Sequence, residues 1–157
     1  MCIRDSHTAV QESIVAFGKK KDKKIQKIKQ SGRPLHINHP TKKNKEIVYY
    51  PDVHFLLKNK KIIIFEIVDS QPLDKTIADI TRSILVTSAT QVYFIVKTEE
   101  IKNKIVEVYD VILSKFTDDF DIDEKRLLVE ASAIVITEED IENREELQTL
   151  LDKYINI

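Results

Sequence analysis

Two acidic residues stand in a part of the chain whose pattern is otherwise that of buried strands. Asp52 follows Pro51, and Glu66 interrupts the apolar run from Ile62 to Val68. A carboxylate inside such a run is costly unless a cation or hydrogen bonds compensate for its burial. Two of them on adjacent strands indicate a site for a hard cation, and magnesium commonly occupies sparse carboxylate sites that act on phosphates.

The turn between the two carboxylates decides whether they can meet. A lysine-rich turn separates two apolar stretches, which predicts a hairpin. Directly opposed residues of an antiparallel pair share one face. A three-residue loop at 58–60 pairs Asp52 with Glu66, whereas a two-residue loop pairs Asp52 with Ile67 and leaves Glu66 on the opposite face. A metal site at this hairpin therefore requires a loop of odd length or a bulge.

Hydrophobic periodicity along the rest of the chain predicts an α/β fold, with a mixed central sheet flanked by helices. Thr98 and Thr137 are the predicted N-caps of the last two helices. The predicted elements are a helix over 8–30, a short strand near 35–38, strands at about 45–57 and 61–68, a helix over 72–88, a strand over 91–97, a helix after residue 98, a strand over 132–137 and an acidic C-terminal helix.

Pro51-Asp52, followed by Glu66 near the end of an apolar strand, resembles the PD-(D/E)xK nuclease superfamily, and the likeness covers roughly residues 8–97. The resemblance implies a restriction-endonuclease-like αβββαβ core, here with a C-terminal helix-strand-helix extension. It also implies phosphodiester hydrolysis in DNA with Mg²⁺, or alternatively Mn²⁺. The metal ligands would be Asp52, Glu66 and the backbone carbonyl of Ile67, and Glu12 on the first helix matches an additional acidic residue of some members.

The chain departs from the family pattern at one position. The family lysine stands two residues beyond the glutamate, where this chain has Val68. Lys75 and Lys97 are the candidate substitutes that would orient water or neutralise charge. Two other interpretations stay open: a catalytically inactive relative that binds nucleic acid or serves in assembly, and an unrelated α/β interaction domain in which the acidic pair serves packing and ion pairing.

Charge is divided unevenly along a chain whose net charge is only −1. Residues 1–61 hold 15 Lys and Arg against 5 Asp and Glu, a net charge of +10, which indicates a surface that faces a polyanion. Neutralisation between the two halves of the fold is an alternative explanation of this asymmetry, and an ordinary solvated helix face explains the lysine run equally well. The predicted nucleic-acid contacts are Lys19, Lys20, Lys21, Lys23, Lys24 and Lys27, with the turn residues Lys58 and Lys60.

Length and composition favour one intracellular domain. The chain has 157 residues, 42% of them hydrophobic and 32% charged, and Cys2 is its single cysteine. Residues 1–6 (MCIRDS) have the character of a non-native leader, which leaves 7–157 as the predicted domain. A cytoplasmic location without membrane association is expected, and a homodimer remains open.

Overall fold

The computed structural model describes residues 3–30, 33–38, 43–68, 90–116 and 129–157. Within these ranges the helices are α1 (Ile3–Lys20), α2 (Glu99–Phe116), α3 (Glu138–Glu142) and α4 (Arg144–Tyr154). The strands are β1 (Ile25–Gln30), β2 (Leu35–Asn38), β3 (Glu46–Tyr49), β4 (Val53–Leu57), β5 (Ile62–Val68), β6 (Thr90–Val96) and β7 (Val129–Val135).

A mixed five-stranded sheet forms the centre of the fold, in the order β1-β4-β5-β6-β7. The pairs β1–β4 and β4–β5 are antiparallel, and the pairs β5–β6 and β6–β7 are parallel. Strands β2 and β3 form a separate antiparallel pair. The predicted α/β class is therefore confirmed, while the predicted helix over 72–88 lies outside the described residues.

Each face of the sheet carries its own hydrophobic cluster. Alternate residues of a strand point to opposite faces, so odd- and even-numbered positions of β5 divide between the two clusters. The first cluster joins Val53, Phe55, Ile63, Phe65 and Ile67 to apolar residues of α1, α3 and α4. The second joins Ile64, Val68, Val92, Phe94 and Val96 to Ile105 of α2.

The predicted helix over 8–30 is wrong in its second half, because α1 ends at Lys20 and residues 25–30 form β1. Ile25 and Ile28 are three residues apart, a spacing that favours a helix in a sequence pattern. In the structure a register shift between Ile25 and Lys27 inserts an extra residue into the strand. This irregularity lets both isoleucines face the first cluster.

The predicted strand over 45–57 is also wrong, because the chain changes sheets at Pro51. β3 pairs with β2, whereas β4 begins at Val53 and pairs with β1 and β5. Proline has no amide hydrogen to give to a strand ladder, so it marks the boundary.

The two predicted N-cap threonines are confirmed, but the predicted last helix is divided in two. Thr98 Oγ1 accepts from Ile101 N at 3.2 Å, and Thr137 forms a reciprocal capping box with Asp140. The predicted single acidic helix is two helices, since Asn143 ends α3 and its side chain caps the amides that begin α4. Within the part of the chain that the structure describes, none of the helices is long and apolar enough to cross a bilayer.

Gly18 lets α1 approach the sheet closely. A Cβ atom at this position would lie 2.8 Å from Ile28 Cδ1 and 2.8 Å from Phe55 Cζ. Those distances are shorter than carbon atoms tolerate, and the Phe55 ring is completely buried. The absence of a side chain at residue 18 therefore sets how near the end of α1 lies to β1 and β4.

Candidate functional site

The β4–β5 hairpin has the odd-length loop that the metal hypothesis requires. Leu57 N donates to Lys61 O at 2.9 Å, and Lys60 N donates to Leu57 O at 3.0 Å, so the loop is Lys58, Asn59 and Lys60. Lys60 has a positive φ of 70°. Three-residue hairpin loops commonly end with a residue of this left-handed conformation.

The register that follows from this loop brings the two acidic positions opposite one another. Val53 pairs with Phe65 and His54 pairs with Ile64, so the next position before β4, Asp52, falls opposite Glu66. Of the two registers that the sequence left open, this is the one that the metal hypothesis requires. Asp52 itself lies just outside the strand, in a bend, so its side chain need not follow the direction of a regular strand residue.

Asp52 is held between α1 and β5. Its Oδ2 atom accepts a hydrogen bond from Ile67 N at 2.8 Å, and its Oδ1 atom lies 3.3 Å from His7 Nε2. Its main-chain oxygen accepts from Gln11 Nε2 at 3.3 Å. These contacts fix the carboxylate beside the peptide that joins Glu66 to Ile67.

Pro51 falls at the ladder position opposite Ile67 and has no N–H group to donate. Hydrogen-bonded pairs alternate along an antiparallel ladder, so the Leu57–Lys61 pair predicts a similar pair at Pro51 and Ile67. In such a pair the N–H and C=O groups of Ile67 both point toward Pro51. Proline cannot donate to the Ile67 carbonyl, and the Asp52 carboxylate accepts from the Ile67 N–H. The extended register thus places the Ile67 carbonyl, which has no donor from Pro51, close to the Asp52 carboxylate at the end of β4.

Glu66 occupies the middle of the sheet near the carboxyl end of β5. It is 6% exposed and stands opposite Phe94 of β6. Strand alternation places it on the face of Ile64 and Val68, the face that α2 covers. The two acidic residues are adjacent across the β4–β5 pair, but Glu66 leaves the sheet on the α2 side, whereas the contacts of Asp52 are with α1, which packs on the other face. The expectation that both side chains share one face of a regular hairpin is therefore not met, and the two residues are linked through the Ile67 amide instead.

His54 shares the face of Glu66 and is a buried histidine. Its ring is 3% exposed, and within the described chain its Nδ1 atom has no hydrogen-bond partner. Burial, and secondarily the positive charge of Lys29, lower the pKa of His54 to about 4. The ring is therefore neutral at pH 7, in a position diagonal to Glu66 across β4 and β5.

The other predicted site residues lie in different surroundings. Glu12 Oε2 accepts from Arg144 Nη2 at 2.8 Å, so this carboxylate contacts α4, and the α1 residues at Asp52 are His7 and Gln11. Val68, at the position of the family lysine, is 2% exposed inside the second cluster.

The two candidate substitutes for that lysine differ in what the structure shows. Lys97 directly follows Val96, the partner of Val68, and so reaches the same end of the sheet as Glu66. Lys75 lies outside the described residues.

Most of the predicted nucleic-acid contacts cluster at the opposite end of the sheet from the acidic pair. Lys58 N donates to Lys24 O at 2.9 Å, which joins the α1–β1 turn to the β4–β5 turn. The five residues of β4 separate this end from Asp52 by about 17 Å. The lysines at this end are Lys19, Lys20, Lys21, Lys23, Lys24, Lys58 and Lys60, all exposed, whereas Lys27 lies on β1.

The sequence pattern did not reveal His7 and Gln11 as neighbours of Asp52. They are four residues apart, so they lie on one side of α1. That spacing is a usable signal, but His7 adjoins the suspected leader and neither residue interrupts an apolar run.

A metal ion would have few protein ligands at this site. No cluster of three or more His, Cys, Asp or Glu side chains suited to a metal ion occurs within the described ranges. Magnesium nevertheless binds through one or two carboxylates, completed by water and substrate phosphate. The fit thus depends on Asp52, Glu66 and the Ile67 carbonyl rather than on a larger cage.

Comparisons with family models, with curated proteins and with solved structures gave no match for this chain.

Proposed function

We propose that this chain is a nuclease of the PD-(D/E)xK type that hydrolyses phosphodiester bonds in DNA with Mg²⁺, or with Mn²⁺. The observation that carries the proposal is the hydrogen bond from Ile67 N to Asp52 Oδ2 at 2.8 Å. It brings one acidic residue to the peptide that follows the other. Three oxygen-bearing groups, from Asp52, Glu66 and Ile67, thereby belong to one short stretch of the β4–β5 pair.

The chemistry of these groups suits a hard divalent cation. Carboxylate and carbonyl oxygens are the ligands that magnesium prefers, and Pro51 leaves the Ile67 carbonyl without a ladder donor. A bound cation would activate water and neutralise charge on the phosphate. His7, with its Nε2 atom 3.3 Å from Asp52 Oδ1, orients the carboxylate from the other side.

The order of elements in the sheet also supports the proposal. α1 precedes three antiparallel strands, β1, β4 and β5, and β6 then adds parallel to β5. This is the strand order that the resemblance implies, with the β2–β3 pair inserted before β4. Asp52 immediately precedes the second of these strands, and Glu66 belongs to the third.

A nicking assay on supercoiled plasmid with Mg²⁺ or Mn²⁺ tests the proposal. We expect cleavage by the wild type and loss of at least 100-fold in rate for Asp52→Asn and for Glu66→Gln. Glu139→Gln, an exposed acidic residue of α3, is the matched control and should cleave normally. Failure of folded wild-type protein to cleave duplex, branched and single-stranded DNA would reject the nuclease proposal, as would full activity of Asp52→Asn.

A second candidate is a nucleic-acid-binding protein on the same scaffold that does not cleave. The burial of Val68 within an apolar cluster favours it, because no amine stands at that position. Binding of DNA that survives chelation of divalent metal, without cleavage when metal is restored, would support this candidate over the first.

A further inference from the structure

A positively charged groove runs along the edge strand β1. Its volume is about 810 Å³, and it is lined by residues of β1 and of the segment that leads into β2. The lining residues are Lys27, Ile28, Lys29, Gln30, Arg33, Pro34 and His36. We call this feature the β1 groove.

The charge of the β1 groove is of one sign. Lys27, Lys29 and Arg33 contribute three positive groups, and neither Asp nor Glu is among the described residues that line it. His36 contacts Glu46 Oε2 at 3.1 Å, so it contributes hydrogen bonding rather than an uncompensated charge. A groove lined by three cationic side chains favours a polyanion over a small neutral ligand.

The strand itself sets the spacing of the two lysines. Ile28 packs against the first cluster, so its neighbours Lys27 and Lys29 project from the opposite face of β1. The register is regular from Lys27 onward, which places the two lysines about 6.8 Å apart along the strand. Such a spacing lets them contact separate phosphates of one polynucleotide strand.

The β1 groove leads toward the acidic pair, unlike the lysines of the distant turns. Lys29 stands opposite His54, and Gln30 stands opposite Val53, which follows Asp52 in the chain. Lys27, Lys29 and Glu66 project from the same face of the sheet. By contrast, two lysines of the other end contact the C-terminal region: Lys24 Nζ donates to Ile157 O at 3.1 Å, and Lys21 lies 4.0 Å from Asp152.

Lysines on an edge strand also have a protective role, because they discourage pairing with another chain. That role does not require an arginine on the adjoining segment. Arg33 N donates to Gln30 O at 3.1 Å, a turn that keeps residue 33 close to the end of β1. Arginine adds a planar, bidentate donor for phosphate oxygens.

We propose that the β1 groove binds the sugar-phosphate backbone of the nucleic acid and leads it toward Asp52 and Glu66. The inference rests on the proposed function and assigns the path of its substrate. Contacts of this kind position the strand without reading its sequence. The lysines at the α1–β1 and β4–β5 turns then contribute less to nucleic-acid affinity than the lysines of the β1 groove.

Equilibrium binding of fluorescently labelled duplex and single-stranded oligonucleotides tests the path. The groove variant is Lys27→Gln/Lys29→Gln, and the matched control is Lys19→Gln/Lys20→Gln, which removes the same charge at the exposed end of α1. We expect the groove variant to bind at least 10-fold more weakly and to lose about 2 from the slope of log affinity against log salt. The control should change affinity less than 3-fold.

A second measurement uses the unmodified protein and so does not depend on the folding of a variant. Bound oligonucleotide should protect Lys27 and Lys29 from acetylation, as read by mass spectrometry, and leave Lys19 and Lys20 reactive. Equal losses in the two variants, or protection only at Lys19 and Lys20, would overturn the groove assignment while binding itself persists. A wild-type protein that binds neither oligonucleotide would overturn the proposed function as well.

Discussion

Asp52 replaces a backbone acceptor for Ile67: its Oδ2 atom accepts from the Ile67 amide at 2.8 Å, at the point where the β4–β5 ladder reaches Pro51. The carboxylate thus has a structural partner on one oxygen and His7 near the other. Because both oxygens have neighbours in the protein, the structural role of Asp52 and its proposed role in metal binding must be measured separately.

We expect Asp52→Ala to lower the free energy of unfolding by about 1–3 kcal/mol, because it leaves the buried Ile67 amide without an acceptor. Asp52→Asn keeps an oxygen that can accept and should lose less. Urea denaturation of both variants gives the comparison. Equal losses for the two substitutions would contradict the hydrogen-bonding role.

Pro51→Ala provides a test of the Ile67 carbonyl as a ligand. Alanine restores an N–H group that can donate to this carbonyl, and it also lowers stability modestly through the unfolded chain. The informative quantity is therefore the rise in melting temperature on adding Mg²⁺ or Mn²⁺, which reports binding to the folded state. We expect a smaller rise than for the wild type, and an unchanged rise would show that the carbonyl is not a ligand.

His54 should make stability depend on pH. Its pKa in the folded protein is about 4, below the ordinary value of 6.5, so the unfolded chain binds the proton first as the pH falls. The stabilisation is complete above pH 6.5 and is lost on acidification toward pH 4, by about 3 kcal/mol.

The measurement is chemical denaturation at pH 7 and at pH 4.5 for the wild type and for His54→Leu. The leucine variant removes the titrating ring from a site where Nδ1 has no partner among the described residues. Its loss of stability on acidification should be smaller than that of the wild type, and parallel losses would rule out His54 as the origin.

Gly18→Ala should destabilise the fold by about 1–3 kcal/mol, the usual cost of overpacking. The added methyl group would meet Ile28 and the buried ring of Phe55 at 2.8 Å. Ala16→Ser, at an exposed position of the same helix, is the control and should change stability by less than about 0.5 kcal/mol. A neutral or stabilising effect at residue 18 would show that α1 can move away from the sheet.

Local patterns predicted the parts of this molecule that local forces determine. The apolar runs of β5 and β6 and the caps Thr98 and Thr137 follow from spacing within a few residues. The sequence leaves the register of Asp52 open between two loop lengths, and the backbone of the 58–60 loop decides it. The extent of β1 could not be predicted in this way, because the bulge gives Ile25 and Ile28 a three-residue spacing that is typical of a helix.

The candidate site shows the same division between local and distant determinants. His7 reaches Asp52 across 45 positions of chain, and only the packing of α1 against the sheet brings them together. Likewise, the β1 groove depends on an edge strand that the sequence pattern assigned to a helix. Contacts between residues distant in the chain leave no periodic signal in the residues themselves.

The exposed loop of residues 58–60 sets the register of the β4–β5 hairpin. It lies at the far end of β4, yet its length fixes which residue stands opposite Asp52. Deleting one residue from this loop would shift the register and move Glu66 away from the position opposite Asp52 without altering either acid. Natural variation in this surface turn should therefore conserve size more strictly than chemistry.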